Sequence, residues 1–303
     1  SVNTEIKEGS KNDLRVIDIR VEEQPTGEIS AGAGVGTNGG SFAINISENN
    51  WLGDGKKVDF EIEVSEESLK GEFSYLDPNY DLLGNSISYN LTNVTNDKPD
   101  QGYENKLFLL GASTSFEQFK DIYTSLGMDL SYDDLRTTGD VSSSLKKQAG
   151  EFVELSVNYG LSYDRRDRTF MPTDGSVIGF KQTLPIHADK PFIGNTFTTS
   201  TYHSFNENII GATKFYLSTI NGLNDEDVRL SKRRFLGTKR LRGFEKGRVG
   251  PVDSKDHIGG NYAAALNFEA NLPNLLPENS NTDVGVFLDF GNVWSVDYDD
   301  SLG

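Results

Sequence analysis

The sequence predicts an all-β chain folded as a transmembrane antiparallel up-and-down β-barrel, and three observations carry that reading. Apolar residues recur with a period of two. The longer alternating segments reach the about 9–11 residues that a tilted membrane strand needs, and no apolar run approaches the about 18 residues of a membrane helix. The best apolar run, Leu107-Phe108-Leu109-Leu110, ends at Gly111. Only every second residue of a barrel strand meets lipid, so 35% hydrophobic residues and 31 glycines in 303 residues suffice.

Taken in order, residues 1–26 stand apart. Leu14-Arg15-Val16-Ile17-Asp18-Ile19-Arg20-Val21-Glu22-Glu23 alternates like a strand of a soluble sheet and stops at Gln24-Pro25-Thr26-Gly27. Strands are then expected at 28–36, 41–49, 56–66, 69–76, 85–95, 104–115, 122–134, 151–165, 176–186, 196–206, 208–221, 259–271 and 283–294. That makes about 13, each joined to the next as a meander. The clearest is 57–65, where Val58, Phe60, Ile62 and Val64 alternate with Lys57, Asp59, Glu61 and Glu63. Residues 152–164 repeat the pattern, with Val153, Leu155, Val157, Tyr159, Leu161 and Tyr163 on one face and Glu154, Ser156, Asn158 and Asp164 on the other. Such polar faces are too charged for a dry core and fit a wet lumen.

The connectors alternate in kind. Tight turns are marked by Gly53-Asp54-Gly55, Asp77-Pro78-Asn79, Pro172-Thr173-Asp174-Gly175 and Pro273-Asn274, and longer polar loops are expected near 93–104, 137–150, 187–195 and 223–258. Short turns on one rim and long loops on the other describe an outer-membrane barrel. Such barrels have an even strand number, so an odd count implies that closing strands are missing. The chain begins Ser1-Val2-Asn3 without a signal-like stretch, so it reads as processed or excised.

The charge excludes some functions. With 29 Lys+Arg against 46 Asp+Glu, the net charge of −17 argues against nucleic acid as a partner. There are no cysteines, and His187, His203 and His257 lie far apart, so no metal, cofactor or cysteine nucleophile is expected. No phosphate loop, nucleophile elbow or zinc motif is present, and no catalytic residue is assigned.

Alternation places Ala263, Ala265, Asn267 and Glu269 in the lumen, and on the next strand Gly285, Phe287, Asp289 and Gly291. Glu269 and Asp289 thus face inward from neighbouring strands and call for a cation, best met by a guanidinium. The loop just upstream supplies Arg229, Lys232, Arg233, Arg234, Lys239, Arg240, Arg242, Lys246 and Arg248. Gly285 and Gly291 leave room for that loop to fold inward, and Phe287 offers a ring for stacking. A basic loop that is merely solvated fits the same charges, and a catalytic carboxylate pair is a third reading without a nucleophile to support it.

Leu241-Arg242-Gly243-Phe244, then Gly259-Gly260-Asn261 and Glu269, then Phe287-x-Asp289-x-Gly291-Asn292-Val293-Trp294 resemble the BamA family of outer-membrane β-barrel assembly factors, which carry POTRA domains before a barrel. Glu22-Glu23-Gln24-Pro25-Thr26-Gly27-Glu28 resembles the junction between the last POTRA domain and the first barrel strand. Asn49-Asn50-Trp51-Leu52-Gly53-x-Gly55 and Tyr163-Asp164-x-Arg166-Asp167-x-x-x-x-Pro172-x-x-Gly175 resemble further family turns. Leu241 departs from the Val or Ile that often precedes the Arg-Gly-Phe tip.

The resemblance implies residues 1–26 as the C-terminal end of a periplasmic POTRA domain. It implies 27–303 as a barrel lacking its closing strands, about 13 of the about 16 expected. It implies a loop lock inside the barrel built from Arg242, Gly243, Phe244, Glu269, Phe287, Asp289 and Gly291, and a lateral gate at a first strand that includes Glu28, Ile29, Ser30, Ala31, Gly32, Ala33 and Gly34. That strand is rich in glycine and short of bulk, which makes a weak seam, although a hairpin arm without function fits it too. The implied function is insertion and folding of β-barrel proteins in the bacterial outer membrane. The implied partners are outer-membrane lipid and lipopolysaccharide, unfolded outer-membrane clients, assembly-machinery lipoproteins and periplasmic chaperones. The rival readings are a TamA-like factor, a two-partner secretion translocase and a passive porin.

Overall fold

The structure is a computed structural model that describes residues 2–11, 14–22, 25–36, 39–139, 141–277 and 282–302. It opens with β1 (Val2–Glu8) and β2 (Arg15–Val21), which pair antiparallel as a separate two-stranded sheet. Alternation pointed to β2 and missed β1, whose Val2-Asn3-Thr4-Glu5-Ile6-Lys7-Glu8 has too few apolar residues to announce a strand. Glu23 and Gln24 of the predicted junction lie outside the described residues.

The strands that follow are β3 (Gly27–Gly36), β4 (Gly39–Trp51), β5 (Lys56–Ser65), β6 (Ser68–Asp77), β7 (Ser86–Lys98), β8 (Tyr103–Phe119), β9 (Ile122–Thr137), β10 (Gly150–Asp164), β11 (Gly175–Ala188), β12 (Phe192–Asn206) and β13 (Ile209–Gly222). A long segment, 223–261, carries the two-residue strands β14 (Val252–Asp253) and β15 (Asp256–His257). It leads to β16 (Tyr262–Leu272) and β17 (Val284–Trp294). All but the first two strands and the β14–β15 hairpin form one 13-stranded antiparallel sheet in which each strand pairs with its neighbours in sequence, from β3 at one end to β17 at the other. Every predicted barrel strand is present. Among the described residues β3 and β17 do not pair with each other, so the barrel is partial rather than closed.

The period of two sorts the two faces as a membrane wall requires. On β5, Phe60, Ile62 and Val64 stand on the exposed outer face. On β9 and β10, Leu126, Met128, Leu130, Tyr132 and Val153 point outward while Ser131, Asp133, Glu154 and Ser156 are buried within. Outward-facing apolar side chains on successive strands make the hydrocarbon-facing band of a membrane barrel.

Several connector expectations are corrected. The stretch 93–104 is mostly strand, with a connector of only 99–102, and 187–195 shrinks to 189–191. Polar residues there continue the ladder rather than break it: Asn96 pairs with Asn105, Asp97 with Glu104 and Lys98 with Tyr103. On the opposite rim, the spans 78–85 and 165–174 are longer than tight turns. The expected loop at 137–150 folds as 138–149 around a short helix, α1 (Ser143–Lys146), whose Leu145 N–H is capped by Ser142 Oγ. The tight turn at 52–55 is explained by backbone geometry: Leu52, Gly53 and Gly55 all take positive φ, and Asn50 Oδ1 accepts from Gly55 N–H at 2.7 Å.

The lumen is also drier than the alternation suggests. Three apolar clusters sit on the inner side. One joins Leu135, Val141, Leu145, Phe152, Leu230, Ile258 and Val296. A second joins Leu236, Leu241, Ala263, Ala265 and Val293, and a third Phe192, Ile220 and Val228. Each contains a residue of the 223–261 loop, so this loop folds inward and packs on the wall.

Candidate functional site

The tip of the inward loop meets β16 and β17 at Arg242. Its backbone N–H and Nε both donate to Asp289 Oδ2, at 3.0 and 2.7 Å, and Nη2 donates to Asp289 Oδ1 at 2.6 Å. Nη1 lies 2.9 Å from Glu269 Oε1. The guanidinium carbon sits 3.8 Å from the centre of the Phe287 ring. One side chain therefore spends its fork on one carboxylate, reaches a second, and covers an aromatic face. The hydrogen bonds to Asp289 raise the Arg242 guanidinium above its ordinary pKa, so it is charged at every physiological pH.

The strand register dictates this meeting. Asn267 pairs with Asp289 and Glu269 with Phe287, which stacks the two carboxylates on one face. Asn267 Nδ2 donates to Asp289 Oδ1 at 2.7 Å and to Arg240 O at 2.8 Å, tying the tip's backbone to the carboxylate it serves. Glu269 also accepts from Lys214 Nζ at 2.6 Å. Arg240 lies 3.6 Å over the Tyr216 ring. Gly291 makes room, since a Cβ there would stand 2.8 Å from Leu236 Cδ1. Gly243 has φ of 84°, where a side chain is strained, so the chain turns sharply just past Arg242.

Of the residues singled out in the sequence, Arg242, Glu269, Phe287, Asp289 and Gly291 come together, with Gly243 at the turn. Phe244 does not join them; it is 55% exposed. Gly285 faces Asn271 rather than the loop. The first-strand residues Glu28, Ile29, Ser30, Ala31, Gly32, Ala33 and Gly34 lie on β3 at the opposite end of the sheet and pair only with β4 among the described strands.

Sequence reasoning missed Asn267 as the bridge between Arg240 and Asp289, although its inward position was readable. It also missed a second charged cluster at the loop's root, where Arg229 and Lys232 meet Glu154. There burial acts the other way and lowers the Arg229 pKa, yet a guanidinium still remains charged. Among the described residues no group of His, Cys, Asp and Glu could hold a metal.

Comparison with known proteins gives a consistent set of likenesses. The Omp85 superfamily domain matches residues 50–302. An outer membrane protein assembly factor BamA of Neorickettsia risticii (strain Illinois) is 26% identical over 292 residues, which is 93% of this chain and 39% of that protein. A sorting and assembly machinery component 50 homolog of Bos taurus is 25% identical over 249 residues, 79% of this chain and 52% of that protein. Among solved structures, BamA from Haemophilus ducreyi lacking POTRA domains 1-3 shares the fold with a TM-score of 0.83 at 22% identity, over 97% of this chain and 63% of that one. CdiB from Acinetobacter baumannii gives 0.54 at 14% identity, over 96% and 55%. The chain thus spans well under two thirds of the length of the relatives it matches in sequence.

Proposed function

This chain belongs to the Omp85 superfamily, and from that premise we propose that it is the barrel part of a factor that inserts and folds β-barrel proteins in the bacterial outer membrane. The observation that carries the proposal is the inward loop whose Arg242 grips Asp289 and Glu269 on the inner wall of β16 and β17. The Omp85 superfamily match over residues 50–302 favours this reading over a passive pore. Arg242 acts as a structural lock, not as a catalytic residue, and no cofactor enters the work.

The gate is the edge of β3. Its Gly32 and Gly34 leave little cross-strand packing, and its outer face carries Ile29, Ala31, Ala33 and Val35, smaller than the Phe, Leu and Tyr of other strands. A client's terminal strand adds to that edge through main-chain hydrogen bonds, which demand little of its sequence. In this reading residues 1–26 are the end of a POTRA domain and 27–303 an incomplete barrel. The unpaired edges of β3 and β17 support the second assignment, and the separate β1–β2 sheet supports the first. Partners are outer-membrane lipid and lipopolysaccharide, unfolded clients, assembly lipoproteins and periplasmic chaperones. The bacterial setting is favoured over the mitochondrial one by the longer match to a BamA than to a sorting and assembly machinery homolog.

The test is genetic. Arg242→Ala or Asp289→Arg in the full-length protein, carried as the only copy, is expected to reduce the assembly of client barrels. Normal barrel levels in both strains would refute the assigned role.

A further inference from the structure

The 223–261 loop has a second attachment, remote from Arg242 and built from different strands. Arg229 Nη2 donates to Glu154 Oε2 at 2.7 Å, and Lys232 Nζ lies 3.2 Å from the same oxygen. Ser231 Oγ donates to Asp133 Oδ2 at 2.6 Å, and Asn105 Nδ2 donates to Asp133 Oδ1 at 2.7 Å. Arg229 Nη1 approaches Asp133 at 4.0 Å, and its guanidinium carbon lies 4.7 Å from the Phe152 ring centre. Two cations of the loop thus face one carboxylate from β9 and one from β10, a neutral set.

The two attachments differ in wetness. The difference lies in the central guanidinium, 2% exposed at Arg229 against 28% at Arg242; Glu154 and Asp289 are equally buried at 4%, Asp133 is 1% exposed, and Lys232 and Glu269 are 23% and 15% exposed. They also differ in backbone support. At the root, Val228 N–H donates to Asp297 Oδ2, Leu230 is buried among Leu135, Phe152 and Ile258, and Arg234 and Gly260 exchange backbone hydrogen bonds at 2.7 and 3.1 Å. At the tip the backbone is held by Asp289 at Arg242 N–H and by Asn267 at Arg240 O, and just beyond them Gly243 and Gly247 turn through positive φ and Phe244 is exposed. A charge pair shut away from water is screened less and is costlier to break than one water can reach.

We propose that Arg229 and Lys232 are positioning residues that pin the root of the loop to β9 and β10. The loop is then a lever with a fixed pivot at 226–234 and a releasable end at Arg242, and it ties β9 and β10 to β16 and β17 across the lumen. Opening at Arg242 swings the tip without expelling the loop. The inference rests on loop geometry and not on the insertase reading, whose failure would appear in client assembly instead of loop exchange.

Deuterium exchange of backbone amides, read peptide by peptide on the full-length protein in lipid vesicles, tests it. Arg242→Ala is expected to speed exchange over 238–250 by about tenfold or more while 226–234 stays slow. Arg229→Gln is expected to speed 226–234 as well. Because that change leaves Glu154 in a dry site with Lys232 alone and can prevent folding, Arg229→Gln with Glu154→Gln is the second variant; it strands no charge, since Lys232 and Asp133 remain, and is also expected to speed exchange at the root. Arg229→Lys, which keeps the cation, is expected to bring the root back toward slow exchange, whereas a role in packing alone would not separate it from Arg229→Gln. The proposal is overturned if Arg242→Ala frees the root as much as the tip, if folded Arg229→Gln or the double variant leaves the root slow, or if Arg229→Lys exchanges as fast at the root as Arg229→Gln does.

Discussion

Arg242 meets two carboxylates and a ring at once, and a lysine has no fork with which to do so. Arg242→Lys keeps the charge but loses at least one charge-assisted hydrogen bond, each worth about 1.5–3 kcal/mol. Loop docking should weaken by about tenfold or more, visible as faster protease cleavage near 238–250. At the root, removing Arg229 leaves Glu154 buried beside Lys232 alone, and breaking a buried pair costs about 3–5 kcal/mol. Arg229→Ala should therefore lower thermal stability more than Arg242→Ala does, as read by heat-induced change of gel mobility. On the other rim, Asp167 accepts from Thr173 Oγ1 and from the Thr173 and Asp174 N–H groups, which lowers its pKa to about 2. A depressed carboxylate stabilises the fold above its unfolded pKa of about 3.9 and loses that contribution as pH falls through the folded value. The 165–174 turn should thus loosen between about pH 4 and pH 2, and Thr173→Ala should move the Asp167 carboxyl titration upward when followed by carbon NMR.

The alternation in 57–65 and 152–164 located strands because a half-lipid, half-lumen strand obeys one periodicity along its whole length. The same logic reads Glu269, Phe287 and Asp289 as inward neighbours from the sequence alone. It fails where a strand is polar on both faces, since Asn96, Asp97 and Lys98 are as polar as a loop yet hold a ladder with Asn105, Glu104 and Tyr103. It also could not match Ser231 to Asp133, because nothing local links residues 98 positions apart. For the same reason the apolar clusters that dry the upper lumen were not legible. β3 offers a test at this scale. No atom lies within 4 Å of a Cβ built on Gly32, so Gly32→Val fits and adds a residue that favours strands. Amide exchange along β3 should slow, and if the edge works as a gate, client assembly should slow with it.

Across the whole molecule the net charge of −17 averages unlike parts. The basic loop meets the acidic inner wall at β9–β10 and β16–β17, a further ion pair joins Arg248 to Asp100 in the β7–β8 connector, and the described strands from β3 to β6 carry none of these contacts. A cavity of about 570 Å³ lies on that side, lined by Gly34, Ser41, Glu63, Lys70 and Lys98 with Lys246 of the loop. The braced side and the unbraced side therefore divide the barrel, and the unbraced side ends in the glycine-rich edge. The absence of cysteine from the sequence makes the central claim directly accessible. With a single cysteine placed along β3, at Ile29, Ser30, Ala31, Gly32 or Ala33 in turn, and one in the terminal strand of a stalled client, disulfide formation in the membrane reports pairing. The account predicts cross-links that follow the two-residue periodicity of an antiparallel ladder on β3 and are absent from matched positions on β10. Equal cross-linking at β10, or none at β3 while the client stalls on the barrel, would contradict it.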